Sequence, residues 1–234
     1  MSAIYKKEIK TFFRTPVGYV FIAIFLAASG FLFSFCCLHA GTTDVSSYYV
    51  MLMFAYVILI PLLTMKSFAE ERRMGTEQLL LTSPVSIVKL VCAKFLACLT
   101  LFALTLAASA LYFIPLFIYG EPNVGRILGC LIGVALIATC FIAVGLFVSS
   151  LTQNQFVAAL GTIGILAFLL AVGVLEQYVD SGWFKSVLEW ISIYSRFSYF
   201  TYGLFDIASA VYYLSLSFLF LFFTVRVYEK RRYA

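Results

Sequence analysis

The sequence predicts an all-α, polytopic membrane protein with six transmembrane helices, on three observations. Apolar residues make up 63% of the 234-residue chain and charged residues 12%, against roughly 45–50% and 25% in soluble domains, and mean hydropathy is +1.03. Runs of about 20 apolar residues, enough to cross a hydrocarbon core, recur along the chain, so a removable N-terminal signal does not explain them. The runs lack period-two alternation, which favours helices over barrel strands.

The N-terminal segment, residues 1–15, interleaves Ile4, Ile9, Phe12 and Phe13 with Lys6, Lys7, Lys10 and Arg14. That is the pattern of a basic amphipathic helix lying in the headgroup layer, although a charged flank that only sets orientation gives the same composition. Pro16 marks its end, because the residue before proline is disfavoured in the helical region while proline itself suits a first turn. Hydropathy then gives six spans, at about 16–38, 48–65, 91–119, 126–150, 156–175 and 207–226.

Between the spans, "GEPNVGRI" (Gly120–Ile127) has the glycine spacing of a phosphate loop, but Arg126-Ile127 replaces the Lys-Ser/Thr that such a loop needs, so it reads as a turn. Gly125, Gly129 and Gly133 recur every fourth residue on span four and permit close helix contact, within one subunit or between two. Residues 176–206 carry both Trp and many other aromatics, so one or two short helices at the outer membrane interface are expected. They suit either a lid over a pathway or an anchor for span six. Cys36, Cys37, Cys92, Cys98, Cys130 and Cys140 lie in or beside apolar stretches without C-x-x-C spacing and read as packing residues. His39 has no second His or Cys–His cluster nearby, so no metal site is expected.

Charge sets the orientation. Thirteen of the 16 Lys and Arg fall on one side of the alternating spans: Lys6, Lys7, Lys10, Arg14, Lys66, Arg72, Arg73, Lys89, Lys94, Arg226, Lys230, Arg231 and Arg232. Only Arg126, Lys185 and Arg196 fall on the other, so both termini and residues 66–90 are expected in the cytoplasm. Spans one to five carry almost no ionisable residue near their middles, which weighs against a proton- or sodium-coupled transporter. No paired carboxylates, H-E-x-x-H or G-x-S-x-G motif lies in the membrane to run hydrolysis there.

The hydrophilic stretch "KSFAEERRMGTEQLLLTSPVS" (residues 66–86) interrupts this apolar chain. Lys66, Glu70, Arg73 and Glu77 have helical i, i+3 and i, i+4 spacings, so span two is expected to continue as a helix with complementary charges. Gly75 suits a left-handed stop, and Thr76 can cap a short transverse helix with Glu77 in its first turn. Ser83-Pro84 reads as the N-cap and first residue of the helix that becomes span three.

This stretch resembles the signature of type-2 ABC exporter permeases, with Glu70, Glu71, Arg72, Gly75, Thr76, Glu77, Leu79, Leu80, Thr82 and Pro84 at the matching positions. The N-terminal "YKKEIKTFFRTPVGYVFIAIFL" is similar to the elbow helix and first span of the gliding-motility-associated subgroup. The resemblance implies one permease domain over 1–234 in a bacterial inner membrane, with an elbow helix (Lys6, Lys7, Lys10, Arg14 and Pro16 at the membrane surface) and a cytoplasmic coupling helix within 66–90. It implies two permease subunits, identical or paired, with a homodimer expected here, an auxiliary membrane subunit with a large outer domain, and a separate ATPase subunit that contacts the signature residues. ATP and Mg belong on that ATPase; this chain needs no cofactor, is not itself an enzyme, and has no nucleic-acid partner. An ABC-type assembly that moves an outer partner without transport, or an ATP-independent channel, are the alternatives.

Overall fold

The computed structural model describes residues 2–77, 86–176, 190, 192–203 and 205–233, and these contain helices and no strand. Helix α1 (Ser2–Arg14) is separated from α2 (Pro16–Phe33) by Thr15, whose extended backbone (φ −92°, ψ 152°) breaks the helix, and Pro16 opens α2, as its sequence position predicts. A Cβ on Gly18 would come 2.4 Å from the Phe12 carbonyl oxygen, so only glycine lets α1 lie this close to the first turn of α2. α2 winds into a π-helical turn, Ser34–His39, that ends at Gly41 with φ +61°.

The remaining helices are α3 (Ser46–Arg73), α4 (Ile87–Ser109), α5 (Ile114–Tyr119), α6 (Val124–Leu151), α7 (Gln155–Glu176), α8 (Ile193–Thr201) and α9 (Ile207–Tyr233). A 3₁₀ turn, Ala110–Phe113, joins α4 to α5. It falls one turn before Pro115, whose ring opposes the carbonyl four residues back. Pro61 removes one amide from α3, yet the helix continues past it. Six segments are long and apolar enough to span a membrane: Pro16–His39, Ser46–Arg73, Ile87–Tyr119, Val124–Leu151, Gln155–Glu176 and Ile207–Arg232. They coincide with the six spans that hydropathy predicts, so the chain is a multi-pass membrane protein.

α6 is the centre of the bundle: 67% of its apolar window is buried inside the protein against 28% for the first and last spans. It packs against α3, α7 and α9. At the α3–α6 crossing a Cβ on Gly145 would lie 2.2 Å from the Thr64 hydroxyl oxygen. That hydroxyl donates to the Ile60 carbonyl (3.1 Å), which fixes its rotamer, so the two backbones meet without intervening side chains. Between α2, α3 and α4, Phe25 lies edge-on to Phe102 (ring centroids 5.7 Å), and Tyr56 likewise to Phe102 (5.2 Å).

The glycine repeat of span four finds its partner within the same chain. Cβ atoms on Gly129 and Gly133 would press on Gly203 and Phe200 (3.0 and 2.8 Å), so these glycines seat the end of α8. α8 supplies the short helix expected within 176–206; residues 177–189, 191 and 204 of that segment lie outside the described residues. It is fixed at its start by the Ser192 hydroxyl, which accepts from the Ser195 amide (3.0 Å), and by Tyr213, which donates to the Ile193 carbonyl (2.8 Å). Glu176, at the end of α7, is buried and accepts a hydrogen bond from the Ser195 hydroxyl. The "GEPNVGRI" segment is a turn leading into α6, whose N-cap Asn123 accepts from the Arg126 amide (3.3 Å).

At this end of the bundle Asp44 accepts from the Ser46 amide (3.0 Å) and hydroxyl (2.8 Å) and lies 3.7 Å from Arg126. Partial burial pushes its carboxyl up, but the Ser46 donors and then the Arg126 charge outweigh that and hold it below the usual carboxylate range.

Candidate functional site

Two ion-pair networks lie at the opposite end of the bundle, where residues 66–77 leave α3. The first centres on Lys94, near the start of α4, whose side chain is 1% exposed. Its ammonium donates to the Ser67 carbonyl (2.7 Å) and contacts Glu8 of α1 (3.1 Å) and Glu71 of α3 (3.0 Å), with Lys7 a further 3.9 Å from Glu71. Three donors of one ammonium thus join three helices, and two carboxylates offset the cost of burying the charge.

The second network caps α6. Carbonyls in the last turn of a helix have no partner within it, and cations are favoured there by the helix dipole. Arg72 donates to the Leu151 carbonyl (2.9 Å), and Arg231 of α9 donates to the Ser150 carbonyl (2.7 Å). Glu77 lies between them, accepting from Arg231 (3.2 Å) and lying 3.9 Å from Arg72. Ser149 adds a further tie: its hydroxyl accepts from the Phe68 and Ala69 amides and donates to the Met65 carbonyl, each at 3.2 Å.

Rings connect the two networks. The Lys94 ammonium lies 5.1 Å from the centre of the Phe68 ring, Phe68 packs on Tyr228 (centroids 4.9 Å), and the Arg231 guanidinium lies 5.5 Å from the Tyr228 ring. Displacement of the chain at Glu77 therefore meets a continuous path of contacts into α1, α3, α4, α6 and α9.

The residues read from sequence are placed unevenly. Gly75 has φ +70°, the left-handed value expected of a helix stop. Thr76 donates its hydroxyl to the Glu71 carbonyl (3.2 Å). The complementary pairing expected among Lys66, Glu70, Arg73 and Glu77 does not form. The turn at Gly75 takes Glu77 off the helix that carries Arg73, so their i, i+4 geometry is lost and Glu77 turns to Arg72 and Arg231 instead. Leu79, Leu80, Thr82, Ser83 and Pro84 lie outside the described residues. The Ser-Pro start expected for the third spanning helix is corrected: that helix begins at Ile87 after an extended Ser86. Lys6, Lys7, Lys10 and Arg14 are exposed along α1, and Pro16 opens α2.

Sequence reasoning missed the two central cations. Lys94 was counted only as a flanking charge, although a lysine set several residues inside an apolar helix is itself the signal of a buried, paired group. Arg231 carried no local signal, since its partners are 154 and 81 residues away in sequence.

These features define a multi-pass helical membrane protein whose helix ends are tied together where residues 66–90 emerge. Residues 2–228 match the family described as ABC-2 family transporter protein, and the chain belongs to it. It is accordingly a membrane permease component of the ABC transporter class, distinct from the ATPase itself, and the family implies an ABC ATPase partner. No curated protein matches the chain.

Proposed function

We propose that this chain is the permease subunit of an ATP-driven exporter, and that residues 66–90 transmit the motion of a separate ATPase subunit to the membrane helices. The observation that carries this reading is the joined pair of networks around Lys94 and Arg231, which ties the start of that segment to five helices. Within it the signature residues divide their work. Glu71, Arg72 and Glu77 are engaged inside the subunit and transmit, whereas Gly75, Thr76 and the following Leu79, Leu80, Thr82 and Pro84 make the contact. ATP and Mg act on the partner, and no chemistry occurs on this chain.

The subunit works as a homodimer in a bacterial inner membrane, as the resemblance implies, and the thirteen-to-three bias of basic residues supports placing both termini in the cytoplasm. α1 lies as an elbow on the membrane surface, supported by its exposed Lys6, Lys7, Lys10 and Arg14 beside half-buried Ile9 and Phe12. Similarity of residues 5–26 to the gliding-motility-associated subgroup supports an auxiliary subunit with an outer domain.

Two variants of the complex separate contact from transmission. Deleting residues 78–82 releases the ATPase on purification in mild detergent. Arg231→Ala keeps the ATPase bound but lowers the spin-label distance change between α3 and α9 on vanadate trapping by at least half. An ATPase that stays bound to the deletion variant, or a full distance change in Arg231→Ala, refutes the division of roles. ATP hydrolysis coupled to movement of an outer partner, without substrate crossing vesicles, would establish a non-transporting assembly instead.

A further inference from the structure

A cavity of about 420 Å³ lies between α1, the start of α2 and the last turns of α3. Its deep wall is the Lys94–Glu71 pair with Ser67, all buried or nearly so, and its mouth is bordered by exposed Lys7, Thr11 and Met74. Carbon makes up most of the lining surface, from Phe12, Pro16, Val17 and Met74 and from the aliphatic stems of the polar side chains that form the rest. That size and character suit a ligand headgroup with a short apolar continuation.

Two of its charges are uncommitted. Lys66 and Glu70 both line the cavity, and neither side chain forms an ion pair or hydrogen bond with a described residue. They are four residues apart on α3, on one face of the helix, with Cβ atoms about 5–6 Å apart by helix geometry. That spacing permits a mutual ion pair, yet none forms, so an ammonium and a carboxylate stand open side by side. A third cation, Lys7, lies at the mouth with its side chain 59% exposed.

The depth of the cavity is fixed by Pro16 and Val17, the first two residues of the first span, which line it. The cavity therefore sits at the boundary of the hydrocarbon layer, where phospholipid headgroups lie. A phosphate joined through two carbons to a primary ammonium presents opposite charges at a separation of the same order as that between Lys66 and Glu70.

We propose that this cavity binds a phospholipid with a primary-amine headgroup, its phosphate on Lys66 and Lys7, its ammonium donating to Glu70, and its glycerol and first methylenes against Phe12, Val17 and Met74. Glu70, which unlike Glu8 and Glu71 has no lysine paired to it among the described residues, disfavours a purely anionic headgroup. A quaternary ammonium has no N–H to donate to Glu70, so a choline headgroup binds less well. The cavity shares Glu70 and Thr76 with the proposed coupling segment, but the binding test uses the chain without its ATPase, so the lipid assignment and the coupling reading can fail separately.

The test is native mass spectrometry of the purified chain exchanged against equimolar phosphatidylethanolamine, phosphatidylglycerol and phosphatidylcholine. Phosphatidylethanolamine is expected on the protein at least fivefold over each of the others. Equal retention of the three, or preference for phosphatidylglycerol, overturns the proposal, and this readout requires no variant. Glu70→Gln is expected to erase the preference and Lys66→Ala to reduce retention of every phospholipid about tenfold. Arg73→Ala, which removes an exposed neighbouring cation outside the cavity, leaves retention unchanged. If Arg73→Ala has the same effect as Lys66→Ala, the binding is general surface attraction and the site is refuted. Displacement of the lipid by millimolar O-phosphoethanolamine would reassign the cavity to a soluble phosphoamine and overturn the lipid assignment.

Discussion

Replacing Lys94 by methionine removes one buried charge and leaves its two carboxylate partners behind. Glu8 and Glu71 are largely shielded, with side chains 12% and 18% exposed, so neither is fully rehydrated when the ammonium is lost. Breaking a buried pair in this way costs about 3–5 kcal/mol. Protonation sets a ceiling on the cost of each stranded carboxylate, because neutralising an ordinary glutamate at pH 7 takes about 2.7 pH units, or about 3.7 kcal/mol. A loss of about 3 kcal/mol at pH 7 follows, equivalent to a fall of about 6–12 °C in melting temperature for a chain of this size. The ceiling itself depends on pH. Burial already pushes the Glu71 carboxyl above its ordinary value against the opposing pull of Lys94, so without Lys94 its destabilising effect is absent below the unfolded value and grows as pH rises through and above it. At pH 5 the same arithmetic leaves about 1 kcal/mol for each carboxylate. The assay is thermal unfolding in detergent, followed by tryptophan fluorescence, of wild type, Lys94→Met and Lys94→Met/Glu71→Gln at pH 7 and pH 5. The variant should fall well below wild type at pH 7, approach it at pH 5, and be partly rescued by Glu71→Gln. A deficit that is the same at both pH values and is not relieved by the second substitution would refute the electrostatic account and leave lost packing against Phe68 as the cause.

Other consequences can be measured separately. Gly145→Ala places a methyl group 2.2 Å from the Thr64 hydroxyl and 2.9 Å from its Cβ, so it should cost about 1–3 kcal/mol of stability by melting despite alanine's better helix propensity. Because Asp44 titrates below the usual range, its contribution is complete above the unfolded value of about 3.9 and is lost as pH falls through the lower folded value. Hydrogen exchange at the Ser46 amide, normalised for intrinsic rate, should therefore stay protected to about pH 4 and lose protection below it, and Asp44→Asn should abolish that step. Glu77→Lys sets a third cation beside Arg72 and Arg231, so it should lower expression and melting temperature, whereas Glu77→Gln should lower them less.

The spans were legible because crossing a membrane imposes a length and a polarity on the local sequence, and each apolar run states both. Local backbone chemistry was legible for the same reason: Pro16 opens α2 and Gly75 takes the left-handed conformation at the positions where their covalent structure demands it. The charged end was only half legible. That charges gather at the end of α3 could be read from the sequence, but which partners Glu71 and Glu77 meet is decided by helix crossings. Lys94 reaches Glu8 across 86 residues of sequence, and no window contains both. The expected Arg73–Glu77 pair failed because the same Gly75 that was read correctly as a stop also removes the helical register that the pairing assumed. Lys66 and Glu70 keep that register and remain apart, as a pair worth only a few tenths of a kcal/mol readily does beside a polar cavity.

The capping of α6 by arginines from other helices also orders events in time. On the ribosome, Ser150 and Leu151 are made long before Arg231, which follows Ser150 by 81 residues. At about 5–20 residues per second, the Ser150 carbonyl waits about 4–16 s for its partner. During that interval Arg72, already synthesised, can engage the Leu151 carbonyl, but the junction with α9 stays open. The latch that finishes the central helix is thus among the later parts to arrive, and nascent chains shorter than about 231 residues should be the ones that quality-control proteases recognise.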